Sequence, residues 1–221
     1  MRYYTFSEAK MDLNERIESM KSFFNEKARE CYDEVHSAYM DTKRMLTENL
    51  PCGTKKVLDL GAGTGLELIY LFEKFPDADV FAADISEKML EVLSERDFAQ
   101  KVTKIVGDFF TVELGSDYDA VISTSALHHF VKDDKKRLYR RVFESLKSGG
   151  VFVNCDKCAN SPDEEEIYLA DYYENRLVKA HIDTPLSAQT EKELLEEAGF
   201  CDVVIIETDT EYYRLIKAKK A

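Results

Sequence analysis

Long apolar runs are missing from this chain of 221 residues: none approaches the roughly twenty positions that a membrane-spanning helix needs. The opening residues, Met1-Arg2-Tyr3-Tyr4-Thr5, lack a signal-peptide core, so a cytoplasmic protein with no membrane partner is expected. Positive charge is also short. Thirty Lys and Arg stand against 43 Asp and Glu, giving a net charge of −13, and phosphate backbones would be repelled. Nucleic acid is therefore not expected as a main partner. One local basic cluster (Lys135, Lys136, Arg137, Arg140, Arg141) follows Asp133 and Asp134 and reads as a solvated helix face.

Cysteine is scattered and odd in number: Cys31, Cys52, Cys155, Cys158 and Cys201 suit reduced thiols rather than a disulfide framework. Cys155-x-x-Cys158 has a suggestive spacing, but no second ligand pair stands near it for zinc. Packing is the reading for both thiols, and no metal site is expected. Internal repeats and low-complexity linkers are absent as well, and the length fits one domain.

What is present is organised around residues 55–67, Lys-Lys-Val-Leu-Asp-Leu-Gly-Ala-Gly-Thr-Gly-Leu-Glu. The apolar run 57–60 reads as a buried parallel strand, and Leu66, Ile69, Tyr70 and Phe72 begin an amphipathic helix. Between them lie three glycines, which permit a tight turn and let a ligand approach bare backbone, facing the free N–H groups of the new helix. The dinucleotide fingerprint is not met, because its third small residue would fall at position 66, which is Leu66. A phosphate loop is excluded because no G-K-[ST] follows.

Later segments repeat the strand–helix alternation. A strand over 79–83 ends at Asp84, where an acid can accept hydrogen bonds from both hydroxyls of a ribose. Ile85 follows, and Ser86 caps a helix carrying Met89, Leu90 and Leu93. The strand 102–106 is followed by Gly107-Asp108-Phe109-Phe110, and the strand 118–123 runs into Thr-Ser-Ala-Leu-His-His-Phe, residues 124–130. A helix closed by Lys147-Ser148-Gly149-Gly150 leads to a fifth strand over 151–154. Ahead of the first strand, two helices are predicted, one with Leu13, Ile17, Met20, Phe24 and Cys31 in register, the other running from Tyr32 through Tyr39 to Leu46.

The D-x-G-x-G-x-G turn at residues 59–65, the strand-end Asp84 and Asp108, and the Leu146-Lys147-x-Gly-Gly landmark together resemble class I S-adenosylmethionine-dependent methyltransferases of the small-molecule type. The resemblance covers about residues 56–218. It implies a Rossmann-like α/β fold: a seven-stranded, mostly parallel sheet in the order 3-2-1-4-5-7-6, strand 7 antiparallel, with helices on both faces. It implies one methyltransferase domain over 1–221: a helical cover (1–52), a cofactor-binding core (53–156), a lid insertion (157–187), and a C-terminal helix and hairpin (188–221).

S-adenosylmethionine is the implied cofactor, with S-adenosylhomocysteine as product. Its site is expected to use Asp59, Gly61, Ala62, Gly63, Gly65, Asp84, Ile85, Met89, Asp108, Phe109, Ser123 and Thr124. His128 and His129 are placed to contact the acceptor or take its proton. Tyr32, Tyr39, Phe130, Tyr172, Tyr173 and His181 are expected around the substrate, an aromatic wall suiting a partly apolar or cationic small molecule. No Asn-Pro-Pro-Tyr motif of a nucleic-acid enzyme follows the fourth strand. A protein or RNA methyltransferase and a non-catalytic S-adenosylmethionine binder are the alternatives, and the molecule is expected as a monomer or homodimer.

Overall fold

A computed structural model describes residues 6–29, 32–176 and 181–221 of the chain, the side chains at 6–14 and 16 excepted. Three helices come first: α1 (Phe6–Lys27), α2 (Tyr32–His36) and α3 (Met40–Glu48). The alternating part follows as β1 (Lys56–Leu60), α4 (Leu66–Lys74), β2 (Asp79–Asp84), α5 (Glu87–Leu93), β3 (Val102–Val106), β4 (Tyr118–Thr124), α6 (Lys132–Ser145) and β5 (Leu146–Lys157). It closes with α7 (Pro162–Asn175), α8 (Ala188–Ala198), β6 (Cys201–Glu207) and β7 (Tyr213–Lys219). Cys31, predicted on the first helix, lies outside the described residues, as does the side chain of Leu13.

The seven strands form one sheet in the order β3-β2-β1-β4-β5-β7-β6, with β7 antiparallel to both neighbours and the other pairings among β1 to β5 parallel. This is the expected order. Successive side chains of a strand face opposite sides. Leu58, Leu60, Val121 and Phe152 accordingly meet α6 and α8 through Leu138, Val142 and Leu194. Val57, Ala120, Ile122 and Val153 pack on the other face against Leu46 of α3 and Leu68 and Leu71 of α4. Asp59 stands among this second set by the same alternation, which places a carboxylate inside an apolar layer.

Two elements differ most from the sequence reading. The predicted second helix breaks into α2 and α3 at a 3-10 turn, Ser37–Tyr39, where Ser37 Oγ donates to the Glu34 carbonyl instead of leaving that group to a regular helix. Strand β5 runs from Leu146 to Lys157, longer than 151–154. It pairs with β4 at Tyr118–Leu146 and again from Ala120–Val151, so residues 147–150 form an irregularity in the strand rather than a helix stop.

Among the described residues no helix is long and apolar enough to cross a membrane. Cys52, Cys155, Cys158 and Cys201 are free thiols, and burial pushes Cys155 up to about 12, so it packs as a small apolar residue.

Candidate functional site

The turn between β1 and α4 is pinned to the neighbouring strand, since Gly61 N–H donates to the Ala83 carbonyl at 2.8 Å. Asp84, at the end of β2, accepts the Gly63 N–H (2.8 Å) on one oxygen and the Ser86 N–H (2.7 Å) on the other. The carboxylate thereby links the glycine turn to the start of α5, where Ser86 Oγ caps the Met89 N–H. Burial pushes Asp84 up to about 6, a rise moderated by the Ser86 and Gly63 hydrogen bonds.

Gly61, Gly63, Asp84, Ile85, Met89 and Phe109 surround a cavity of about 60 Å³, together with Ser125, Ala126, His129 and Phe130 from the end of β4. Its roof comes from the N-terminal helices: Met20 and Phe24 of α1 and Tyr32 of α2. Burial next to Glu67 and Asp84 drives the Tyr32 phenol upward, so it is a neutral donor. Polar contacts fasten this roof. Thr64 Oγ1 donates to Asp33 at 2.6 Å, Arg96 pairs with Asp33 and donates to the Thr64 carbonyl, and Ser86 Oγ donates to Asn25 at 2.8 Å.

A second cavity, of about 270 Å³, adjoins the first and shares Phe24, Tyr32, Ser125 and His129 with it. Its wall adds Tyr39, Tyr213, His36, His128, His181, Lys27 and Lys157. His128 is held firmly: Nδ1 lies 2.5 Å from Asp156 Oδ1, while the Leu127 and His128 N–H groups donate to Asp156 Oδ2. Burial raises the Asp156 carboxyl, but His128 and Lys135 outweigh it and hold the group down at about 2. Asp183 likewise sits well below the usual carboxylate range in spite of burial, through His129, His128 and the Lys157 ammonium 2.5 Å from Oδ2. Burial and His128 push His129 down to about 3, leaving a neutral ring.

A family described as a methyltransferase domain matches residues 57–150, the span from β1 into β5 that carries the glycine turn, Asp84 and the histidine pair. Residues 57–150 thus form a methyltransferase domain, and the sheet order is that of the class I S-adenosylmethionine-dependent methyltransferases. The chain is 29% identical over 188 residues to phosphoethanolamine N-methyltransferase 1 of Arabidopsis thaliana, a match covering 83% of this chain and 36% of that protein. It is 26% identical over 208 residues to carboxy-S-adenosyl-L-methionine synthase of Campylobacter fetus, covering 83% and 88%. Human N-acetylserotonin methyltransferase in complex with S-adenosylmethionine superposes with a TM-score of 0.65 at 20% identity, covering 94% of this chain and 56% of that one. The chain thus spans about a third of the length of the Arabidopsis relative.

The residues around the glycine turn fit S-adenosylmethionine. Gly61 and Gly63 present bare backbone, and Asp84 reaches the cavity. Sites for small ligands run to roughly 300–1,000 Å³. Beside the glycine turn the cavity holds about 60 Å³, roofed by Met20, Phe24 and Tyr32.

The other expected residues are placed less directly. Ala62 is packed in the core, Gly65 is the N-cap of α4, and Asp59 lies beneath the turn facing Glu67. Asp108 does not line the cavity, because its Oδ1 accepts the Phe110 N–H at 2.9 Å and shapes the loop that presents Phe109. Ser123 Oγ donates to the Leu60 carbonyl, and Thr124 Oγ1 joins Lys43 and Glu67, so both brace the sheet.

Tyr32, Tyr39, Phe130 and His181 do line the cavities, whereas Tyr172 and Tyr173 line neither. Adjacent residues of a helix point about 100° apart, so two neighbouring tyrosines of α7 cannot share one face. Tyr172 is buried and Tyr173 is half exposed. Sequence reasoning missed Met20 and Phe24 as roof, and Asp156 and Asp183. Asp156 had a signal available, being a strand-end acid like Asp84 once β5 is extended to its true length.

Proposed function

We propose that the chain transfers the methyl group of S-adenosylmethionine to a small-molecule acceptor seated in the larger cavity. The observation that carries this reading is the shared wall of Phe24, Tyr32, Ser125 and His129 between the glycine-turn cavity and the histidine-lined one. A cofactor on one side and an acceptor on the other would meet there. When bound, S-adenosylmethionine supplies a methyl on a positively charged sulfur, already activated for in-line displacement. The chain's own task is to align the acceptor and exclude water. Asp84 holds the ribose hydroxyls, Ile85 and Met89 flank the adenine, and the roof of α1 and α2 closes the site. His128, oriented by Asp156, and His129 contact the acceptor.

The test is incubation with methyl-labelled S-adenosylmethionine and a metabolite extract, followed by mass identification of the product. Label is expected in a small metabolite; label confined to RNA or protein fractions would overturn the acceptor class.

Asp84 makes the cofactor site pH-dependent. An ionised carboxylate accepts from the ribose hydroxyls and a protonated one accepts less well. With a value of about 6, roughly one carboxyl in ten is ionised at pH 5. Calorimetric affinity for S-adenosylhomocysteine should therefore fall about tenfold from pH 7.5 to pH 5, about 1.4 kcal/mol. An affinity unchanged over that interval removes Asp84 from the ribose site.

A further inference from the structure

The chain contains four histidines, His36, His128, His129 and His181, and all four line the larger cavity. Two of them converge with an acid. His129 Nδ1 lies 3.4 Å and His128 Nε2 3.5 Å from Asp183 Oδ1, and the three donor atoms fall within 4.8 Å of one another. His181 Nε2 stands 3.8 Å from the same oxygen.

Two observations mark this cluster as more than a packed polar patch. His129 Nδ1 and Asp183 Oδ1 are buried without a hydrogen-bond partner among the described residues, although His129 is only 3% exposed. At 3.4 Å they are too far apart for an ordinary hydrogen bond, and orphaned buried acceptors are costly. The outer contacts of His128 and Asp183, by contrast, are complete. His128 Nδ1 is tied to Asp156 at 2.5 Å, so Nε2 is the nitrogen turned to the cluster. Asp183 gives its other oxygen to Lys157 at 2.5 Å, which leaves Oδ1 as a single donor. Imidazoles that bind metals are held in this way, with the second ring nitrogen on a carboxylate.

We propose that His128, His129 and Asp183 form a binding site for one divalent transition-metal cation of the zinc class. A tetrahedral centre with bonds of about 2.0–2.1 Å spaces its ligand atoms roughly 3.3 Å apart, close to both distances to Asp183 Oδ1. Two imidazoles and one carboxylate favour zinc over magnesium or calcium, which prefer oxygen donors alone. Three protein ligands leave a position open to the acceptor cavity, with His181 near it. There the cation would draw charge from an acceptor oxygen and ease loss of its proton. That catalytic role rests on the acceptor reading above; the binding of the cation does not.

The test uses the full chain, stripped with a chelator and titrated with zinc against a chromophoric competitor, with no cofactor or acceptor added. One equivalent should bind, and His129→Gln and Asp183→Asn should each weaken binding at least tenfold. The Cys52→Ala/Cys201→Ala variant should retain the equivalent, since exposed thiols are the other source of zinc affinity. Cobalt in place of zinc needs no variant: visible d–d bands of a four-coordinate centre are expected, without a thiolate-to-cobalt charge-transfer band. Zinc lost with the thiols, a thiolate band, or unchanged affinity in folded His129→Gln and Asp183→Asn would each overturn the site. Because no methyl transfer is read, failure here leaves the proposed activity standing, and a chain that binds zinc but methylates nothing refutes only the activity.

Discussion

Alanine at Gly61 should lower the melting temperature by about 5–15 °C and abolish measurable cofactor binding. Gly61 has φ +75°, and an added Cβ would stand 2.4 Å from Ala126 Cβ. A left-handed conformation costs an alanine roughly 1–2 kcal/mol, and forcing a methyl into packed space costs roughly 1–3 more. For a chain of this size each kcal/mol shifts the midpoint by about 2–4 °C. Gly53 separates the two causes, for it has φ +82° but nothing within 4 Å of an added Cβ. Gly53→Ala should show the conformational cost alone. Adding Ala126→Gly to Gly61→Ala should recover the steric part, because the clashing atom is then gone. Equal losses at the two glycines, or no recovery in the double variant, would mean that the loop after β4 does not need bare backbone at position 61. Calorimetry with S-adenosylhomocysteine on the double variant then reads whether the cavity has been restored.

That close approach was only half visible in the sequence. The glycine spacing announced a turn that a ligand approaches, but nothing near it announced that Ala126 presses on its first glycine. The same limit runs through the site. The sheet was legible because strand and helix alternate along the chain, and right-handed crossovers leave few ways to connect such units. Asp84 was legible because strand-end position and spacing from the glycines are local properties. Asp183 was not, since its meaning arises from meeting His128 and His129, which come from another part of the chain. Met20 and Phe24 fall on an apolar stripe, but periodicity tells which face is buried and not what it covers. They cover the cavity beside the glycine turn. The break between α2 and α3 escaped because apolar spacing continues across it; Tyr32, docked over Gly63, and the Ser37 hydrogen bond mark the interruption. Tyr172 and Tyr173 were grouped by neighbourhood in sequence, where the helix separates them.

Asp59→Asn should make the protein more stable at neutral pH while weakening its hold on the cofactor. Asp59 is fully buried in β1, and neither of its oxygens has a hydrogen-bond partner among the described residues. It faces Glu67, whose Oε1 is also unpartnered while Oε2 accepts from Lys43 at 3.3 Å and from Thr124 at 3.0 Å. One ammonium thus serves two buried carboxyls. Burial first, and Glu67 second, raise Asp59 well above its ordinary range. The sign follows from linkage: a carboxyl that titrates higher when folded binds more protons folded than unfolded. Stability is then full below the unfolded value near 4 and is lost as the pH rises through the folded one. Asparagine removes this dependence, and its amide can donate to the orphaned Glu67 Oε1. A buried polar group left unsatisfied costs about 1–3 kcal/mol. At pH 7.5 the variant should therefore melt at least about 2 °C higher than the parent, with the gap closing towards pH 4.5. Affinity for S-adenosylhomocysteine should move the opposite way, as expected where a strained polar group beneath the glycine turn serves binding rather than folding. A variant that melts lower at neutral pH, or a gap that does not close on acidification, would show that Asp59 is satisfied by contacts other than these.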